Sequence, residues 1–310
     1  MKHETNNKLK KIITSLLLLI LFFVSLLYVF KTLAQNIFSS QTLEVSPPSQ
    51  ELSIDPGKTI VAKAKVRNRS RETVSIKVRI EDFTASGEEG QIALVDAGTY
   101  SLTKWAKLSP EQFNLKPGEQ QEVEATVSVP PTGAGGRYGS FVFGVVPPGA
   151  KGGEATVSQE IASLFLLRIS GPVTENLSLT QVKAPRFSEF GPVPIDLKFY
   201  NSGNVHVKTF GLVNVSDMFG KKVADVVVTG TNVFPGASRI VRSTLDKKLL
   251  VGNFNATAIM YYGTVKNQTL TGSTSFFVFP VRLVAAIIIV LLILYSVRKR
   301  LKKALKDLLG

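Results

Sequence analysis

Residues 113–146 set the tightest limit on what this chain can become. Phe113-Asn114-Leu115 runs into the turn Lys116-Pro117-Gly118-Glu119. Val123, Ala125, Val127 and Val129 then alternate with Glu122, Glu124, Thr126 and Ser128. A period of two puts the apolar side chains on one face of an extended strand and leaves the other face wet. Pro130-Pro131 ends that strand, because proline has no N–H to give to a sheet. Gly133, Gly135, Gly136 and Gly139 follow, then an aromatic strand from Tyr138 to Val146. A helix cannot be built on this pattern; a two-layered β structure can.

The same pattern extends both ways. Upstream, Ile60, Ala62, Ala64 and Val66 alternate with Val61, Lys63, Lys65 and Arg67. Beyond the turn Asn68-Arg69-Ser70-Arg71, Val74, Ile76, Val78 and Ile80 alternate with Ser75, Lys77, Arg79 and Glu81. The short turn predicts a hairpin between these two strands. Downstream, Ile161 to Ile169 reads as the last strand of a first domain. The pattern then returns about 120 residues on. Ile195 to Tyr200, the turn Asn201-Ser202-Gly203-Asn204 and Val205-His206-Val207 parallel the region around Asn68. Val233-Phe234-Pro235-Gly236-Ala237-Ser238 parallels Leu115 to Gln120, and Lys247 to Gly263 parallels the aromatic strand after Gly136. No amphipathic helix interrupts this order. The fold class expected is all-β: two tandem immunoglobulin-like β-sandwiches.

The ends of the chain are of a different kind. Ile12 to Phe30 carries no charge and as a helix would be about 28 Å long, close to the thickness of a bilayer's hydrocarbon core. It is expected to be either a signal peptide cleaved after Thr32-Leu33-Ala34 or a retained signal anchor. At the other end Leu283 to Val297 is uncharged, and with the aromatics from Phe276 onward it predicts a transmembrane helix over 276–297. A basic tail, 298–310, follows. The formal charge of +14 first suggests nucleic acid as a partner. Four lysines against Glu4 give +3 before the first apolar run, and six cations against Asp307 give +5 after the last, so 8 of the 14 charges flank the apolar ends. That is a topology signal with the basic flanks inside, and nucleic acid is not expected. The expected layout is 1–35 leader, 36–170 first sandwich, 171–275 second sandwich, 276–297 span and 298–310 cytoplasmic tail, with membrane lipid as partner of the span and the sandwiches outside.

Chemistry-bearing residues are few. There is no cysteine, and the two histidines are His3 and His206. Disulfides, thiolate metal sites and cysteine nucleophiles are excluded. Trp105, the single tryptophan, is expected in the core of the first sandwich, with a carbohydrate platform as its functional alternative. The glycines at 133–139 lack the Gly-Lys-Ser/Thr of a phosphate loop and precede a strand, so a flexible turn is expected. His206 is expected on a solvent-facing strand. The acidic pairs Glu81-Asp82 and Glu88-Glu89 are expected in solvated turns. No catalytic, cofactor-binding or metal residue is assigned, and no enzyme activity is expected.

The order of leader, two sandwiches, apolar helix and basic tail resembles the WxL-interacting proteins of Gram-positive bacteria, which carry the domain of unknown function numbered 916. The residues bearing the resemblance are Leu52-Ser53-Ile54-Asp55-Pro56-Gly57-Lys58 with Val66-Arg67-Asn68, and Phe113 to Glu119 with Val127-Ser128-Val129-Pro130 and Gly136-Arg137-Tyr138-Gly139. Trp105 to Pro130 also resembles the N-terminal immunoglobulin-like domain of periplasmic pilus chaperones. The first resemblance implies a membrane-anchored, non-enzymatic surface protein whose partner is peptidoglycan or another protein. The second implies a chaperone or scaffold for exported proteins.

Overall fold

The computed structural model describes residues 42–147, 159–264 and 268–309, and the expected leader, 1–35, lies outside them. The first sandwich contains β1 (Leu43–Ser46), β2 (Ser49–Ile54), β3 (Thr59–Asn68), β4 (Val74–Ser86), β5 (Gln91–Val95), β6 (Ala106–Ser109), β7 (Gln112–Leu115), β8 (Gln120–Ser128), β9 (Gly135–Val146) and β10 (Glu160–Ile169). One sheet has the order β1-β3-β8-β6; the other runs β2-β10-β9-β4-β5, with β7 also on β4. The first strand segment serves both sheets. β1 pairs antiparallel with β3, and after Pro47-Pro48 the chain crosses over so that β2 runs parallel to β10.

The alternation read from sequence becomes the core. Ala62, Ala64 and Val66 of β3 and Val123, Ala125 and Val127 of β8 face Ile76 and Val78 of β4, Phe141 and Phe143 of β9, and Phe165 and Leu167 of β10. Full burial of each large side chain contributes about 1.5–3 kcal/mol. The expected hairpin between β3 and β4 does not form. β3 pairs with β1 and β8, whereas β4 pairs with β9, β5 and β7 in the opposite sheet. A hairpin would set both apolar faces on one side of one sheet; crossing between sheets lets them face each other. Trp105 closes a single 3-10 turn, Thr103–Trp105. It is half-buried against the first core, and the Arg137 guanidinium lies over its ring at 5.1 Å.

The second sandwich contains β11 (Leu177–Lys183), β12 (Phe187–Ser188), β13 (Val193–Asn201), β14 (Val207–Asp217), β15 (Lys222–Val233), β16 (Ser238–Leu245), β17 (Gly252–Tyr262) and β18 (Gln268–Val278). Its sheets, β11-β13-β16 and β12-β18-β17-β14-β15, repeat the order of the first domain without a counterpart of β6, and β12 runs parallel to β18 as β2 does to β10. Ile195, Leu197 and Phe199 face Val213, Val215, Ala256, Ala258 and Met260 across the core.

The repeat reaches individual hydrogen bonds. Asn68 is fully buried where the chain arches from β3 to β4, and its amide donates to Glu72 O (2.7 Å) and Leu115 O (3.0 Å) while its oxygen accepts from Ser70 N (2.9 Å). Asn201 is equally buried and donates to Val205 O and Val233 O (both 2.8 Å) while accepting from Gly203 N (2.8 Å). Each asparagine's backbone carbonyl in turn receives the N–H of the Pro-Gly turn, Gly118 at 3.0 Å and Gly236 at 2.8 Å. Both glycines have positive φ, 78° and 71°, a conformation that side chains resist. The arch and the turn therefore hold each other, and buried backbone groups that the crossing would orphan are satisfied.

α1 (Val281–Leu309) leaves the second sandwich directly after β18. The expected span over 276–297 is corrected at its start. Phe276, Phe277 and Val278 belong to β18, with Phe276 and Val278 buried in the second core; alternation, not helical continuity, governs them. Among the described residues no helix is long and apolar enough to cross a membrane.

Candidate functional site at the domain joint

Linker residues 170–176 join two bodies that touch over a built interface. β9 begins there. Gly135 sits at φ +75°, and an added Cβ would meet the backbone oxygen of Asn204 at 2.8 Å. Gly136 donates its N–H to Asn204 O (2.8 Å), and its added Cβ would lie 3.3 Å from the Val205 Cα. Of the glycines expected to form a flexible turn, Gly133 does sit in a turn, donating its N–H to Pro130 O (2.9 Å), whereas Gly135, Gly136 and Gly139 belong to β9; the missing side chains of Gly135 and Gly136 let one domain's backbone press against the other's. Asn204 also accepts from Thr174 N (2.8 Å) and donates to Pro172 O (2.9 Å), pinning the linker.

Next along β9, Tyr138 is 2 % exposed and stands at the centre of an aromatic cluster. Phe234 of the second domain packs edge-on to it at 5.0 Å between ring centroids and edge-on to Phe83 at 5.5 Å. Tyr100 and His206 complete the ring at 5.9 Å and 5.6 Å. His206, expected in solvent, is buried, with Nδ1 at 3.3 Å from the Tyr138 hydroxyl. Burial pushes its pKa down to about 4, so it is neutral at ordinary pH. Burial pushes the Tyr138 phenol up. The signal missed in sequence was the phase of the strand: Val205-His206-Val207 straddles the joint, where both faces of the chain are covered.

Polar links ring the cluster. Arg168, at the end of β10, pairs with Glu175 of the linker and donates to Thr264 Oγ1 (2.9 Å). Glu175 accepts from Thr264 N (2.9 Å) and Oγ1 (2.7 Å). Burial alone would raise the Glu175 carboxyl, but the Thr264 and Arg168 hydrogen bonds outweigh it and hold the pKa below the usual range. Glu51 of β2 accepts from Asn232 Nδ2 (2.5 Å) and faces Lys208 Nζ at 3.7 Å. Its burial, too, is outweighed by Asn232 and Lys208, and its pKa is lowered. The acids expected in solvated turns have structural duties. Glu88 pairs with Lys198 (2.7 Å), and its backbone oxygen accepts from Ile240 N (2.6 Å), so this hairpin clasps the second domain. Asp82 is buried and accepts from Leu102 N (2.8 Å) and Thr103 N (3.0 Å). Glu81 pairs with Arg79.

One side of the joint stays open as a cleft of about 430 Å³, where Glu51, Arg168, Glu175, His206, Lys208 and Gly230 meet. Charges of both signs, each contributed across the joint, line a concave wall. At its margin Asn232 Oδ1 is buried with no hydrogen-bond donor among the described residues. Among the described residues no group of three or more His, Asp or Glu side chains gathers as metal ligands would. The cleft adjoins β15, which is the outer strand of its sheet.

No family model matches the chain, and no curated protein matches it. Among solved structures it is similar to the class 5 fimbriae chaperone CfaA, with a TM-score of 0.40, 18 % identity, and coverage of 75 % of this chain and 98 % of that one. It is also similar to a chain in the CsuC–CsuE chaperone–tip adhesion subunit pre-assembly complex of Acinetobacter baumannii (TM-score 0.37, 10 % identity, 77 % and 99 % coverage). A third is in the complex of the Salmonella enterica SafA pilin with the SafB chaperone (0.34, 13 %, 78 % and 99 %). These are chaperone-type immunoglobulin-like structures, the second of the two resemblances seen in sequence; the WxL-interacting family has no matching model behind it.

Proposed function

We propose that this chain is a non-enzymatic scaffold that holds a segment of another exported protein at the outer face of a membrane. The observation that carries the reading is the joint. Two sandwiches are held in a single geometry by buried aromatics and cross-domain ion pairs, and that geometry leaves a cleft of mixed charge beside an open sheet edge. Such an arrangement suits a polypeptide: backbone N–H and C=O groups pair along the edge, and polar termini or side chains settle in the cleft. β15 is the edge to use. It is 12 residues long, pairs on one side only among the described residues, and carries Val226-Val227-Val228 with Val227 74 % exposed. Edges of that length are ordinarily blunted by charge or by covering.

α1 supplies the attachment. Ile287 to Ile293 are all exposed, and a helix that is apolar all round seeks lipid or a core. Its uncharged run, Leu283 to Val297, is about 22 Å long, short of the roughly 30 Å hydrocarbon core. The anchor therefore needs both flanking arginines to snorkel. Arg282 pairs with Glu189 at 3.3 Å on the sandwich side, and Arg298 stacks on Tyr295 at 4.1 Å on the other. The basic tail then lies in the cytoplasm and the sandwiches outside.

The test is a photocrosslinking amino acid at Val227 in the full chain on intact cells, with the same group at exposed Lys77 as control. A protein adduct formed at Val227 and not at Lys77 supports the scaffold reading. Absence of any adduct, together with pelleting of the full chain on purified peptidoglycan, replaces it with wall-polymer binding.

A further inference from the structure

The end of the second sandwich from which α1 departs is unlike the rest of the surface. Strand register gathers its loops. Asp217 of β14 lies opposite Phe254 of β17, Gly252 opposite Val278 of β18, and Val193 opposite Leu245 in the other sheet. The loops 189–192, 217–221 and 246–251 therefore share one end with the start of α1 at Val281. They are tied together there: Gly191 N donates to Lys248 O (3.1 Å), Lys247 Nζ donates to Val223 O (2.7 Å), and Arg282 pairs with Glu189.

These loop tips expose large apolar side chains that a solvated end would not keep. Phe219 is 86 % exposed, Leu249 73 %, Met218 62 % and Val251 58 %. The tip bearing Met218 and Phe219 is a built turn. Asp217 Oδ1 accepts from Phe219 N and Lys221 N, both at 2.9 Å, and Gly220 takes φ +79°. The turn thus presents its two apolar residues outward. Lys221, Lys247 and Lys248 stand among them. Of the acids at this end, Asp217 is occupied in the turn, Glu189 faces Arg282, Asp225 faces Lys222, and Asp246 remains. Elsewhere among the described residues of the sandwiches, exposed large apolar side chains stand along strands, Val227 of the β15 edge being the most exposed of them.

Aromatic and aliphatic tips interleaved with lysine match the region where lipid headgroups meet acyl chains, and the lysines favour an anionic surface. We propose that this end of the second sandwich is a lipid-contact collar, which seats the domain on an anionic phospholipid surface around the root of α1. The inference rests on the reading of α1 as an anchor and extends it. The anchor fixes where the chain is held; the collar fixes how the sandwiches stand. β15 rises directly out of the collar at Lys222, so seating would set the direction in which its edge is offered to a partner.

The chain has no cysteine, so single labels can be placed cleanly. The full chain is reconstituted in phosphatidylcholine vesicles containing phosphatidylglycerol, with an environment-sensitive fluorophore on Phe219→Cys, on Ile289→Cys within α1, or on Lys116→Cys at the far end of the first sandwich. Lipids bearing a nitroxide at the headgroup or within the acyl chain serve as quenchers. The expected result is at least about twofold quenching at 219 by the headgroup nitroxide, deep quenching at 289, and none at 116. Replacing Lys221, Lys247 and Lys248 together by glutamine is expected to relieve the quenching at 219 and leave 289 unchanged. Quenching at 289 without quenching at 219 overturns the collar while the anchor stands. Quenching at 219 without 289 keeps the collar and removes the anchor reading. Phe219→Cys chains that form disulfide-linked dimers and show no lipid quenching assign the patch to a second copy of the chain and overturn the proposal.

Discussion

Substituting Phe234 by alanine probes the joint on which the proposed function depends. Phe234 is partly buried and inserts between Tyr138 and Phe83, edge-on to both. Truncating a fully buried phenylalanine costs about 3–5 kcal/mol. Half that, about 1.5–2.5 kcal/mol, suits a half-buried ring, and its two edge-to-face pairs set the expectation at the upper end, about 2.5 kcal/mol. The cost falls almost wholly on the joint, because Phe234 lies in the Pro-Gly turn outside the second core and its backbone duties to Ala237 N survive. A loss of 2.5 kcal/mol raises the ratio of opened to closed joint about 60-fold. Spin labels on Lys107→Cys in the first domain and Thr271→Cys in the second report this as an inter-domain distance distribution, measured by pulsed electron resonance through a urea series. The parent chain is expected to keep one narrow distance until a well-defined urea concentration; the Phe234→Ala chain is expected to broaden at a distinctly lower one, before either sandwich loses its circular dichroism. If the two curves coincide, the aromatic cluster does not hold the domains together and the single-body argument fails.

Three further outcomes follow from the same geometry. His206 is neutral in the folded chain, with its pKa pushed from about 6.5 down to about 4, so its contribution is fully present above pH 6.5 and is lost as pH falls toward 4 because the unfolded chain takes up the proton first; the loss is about 3 kcal/mol, and denaturant titrations of the His206→Gln chain should show a shallower decline over that window. Gly135→Ala places a methyl group against Asn204 O in a left-handed conformation, which should weaken the joint by about 1–3 kcal/mol, read by the same spin-label titration; an unmoved midpoint would mean that the joint yields freely there. Asn201→Leu strands two buried carbonyls, Val205 O and Val233 O, and should cost about 2–4 kcal/mol; Asn68→Leu strands Leu115 O alone, because Glu72 O keeps the Ser70 hydroxyl, and should cost about 1–3 kcal/mol. Calorimetry should place each loss on its own domain, and a larger loss at Asn68 than at Asn201 would refute this ordering.

Much of the architecture is written in local chemistry. Alternation at Ile60–Val66, Val74–Ile80 and Val123–Val129 makes strands whatever the partner, because a two-residue period has one apolar face only in an extended chain. Pro117-Gly118 and Pro235-Gly236 make turns because proline fixes φ and glycine accepts the left-handed region. The echo of one half in the other already marks two related domains. None of this required knowledge of what lies across the core.

Pairing and phase did require it. Nothing in Asn68-Arg69-Ser70-Arg71 distinguishes a hairpin from an arch between sheets; the choice is made by burial of both apolar faces together and by Leu115 O, 47 positions away. Phe276 to Val278 are as apolar as the helix that follows, and only their register against Gly252 to Phe254 makes them strand. Gly135, Gly136 and His206 read as turn and solvent because each domain, taken singly, leaves them on its surface. The second sandwich covers that surface, removes its water, forces His206 to stay neutral and turns three unremarkable residues into the joint. The sequence by itself determined the strands, the turns and the duplication, since these depend on near neighbours; the joint, the cleft and the collar exist only where distant segments meet, and only the tertiary structure decided them.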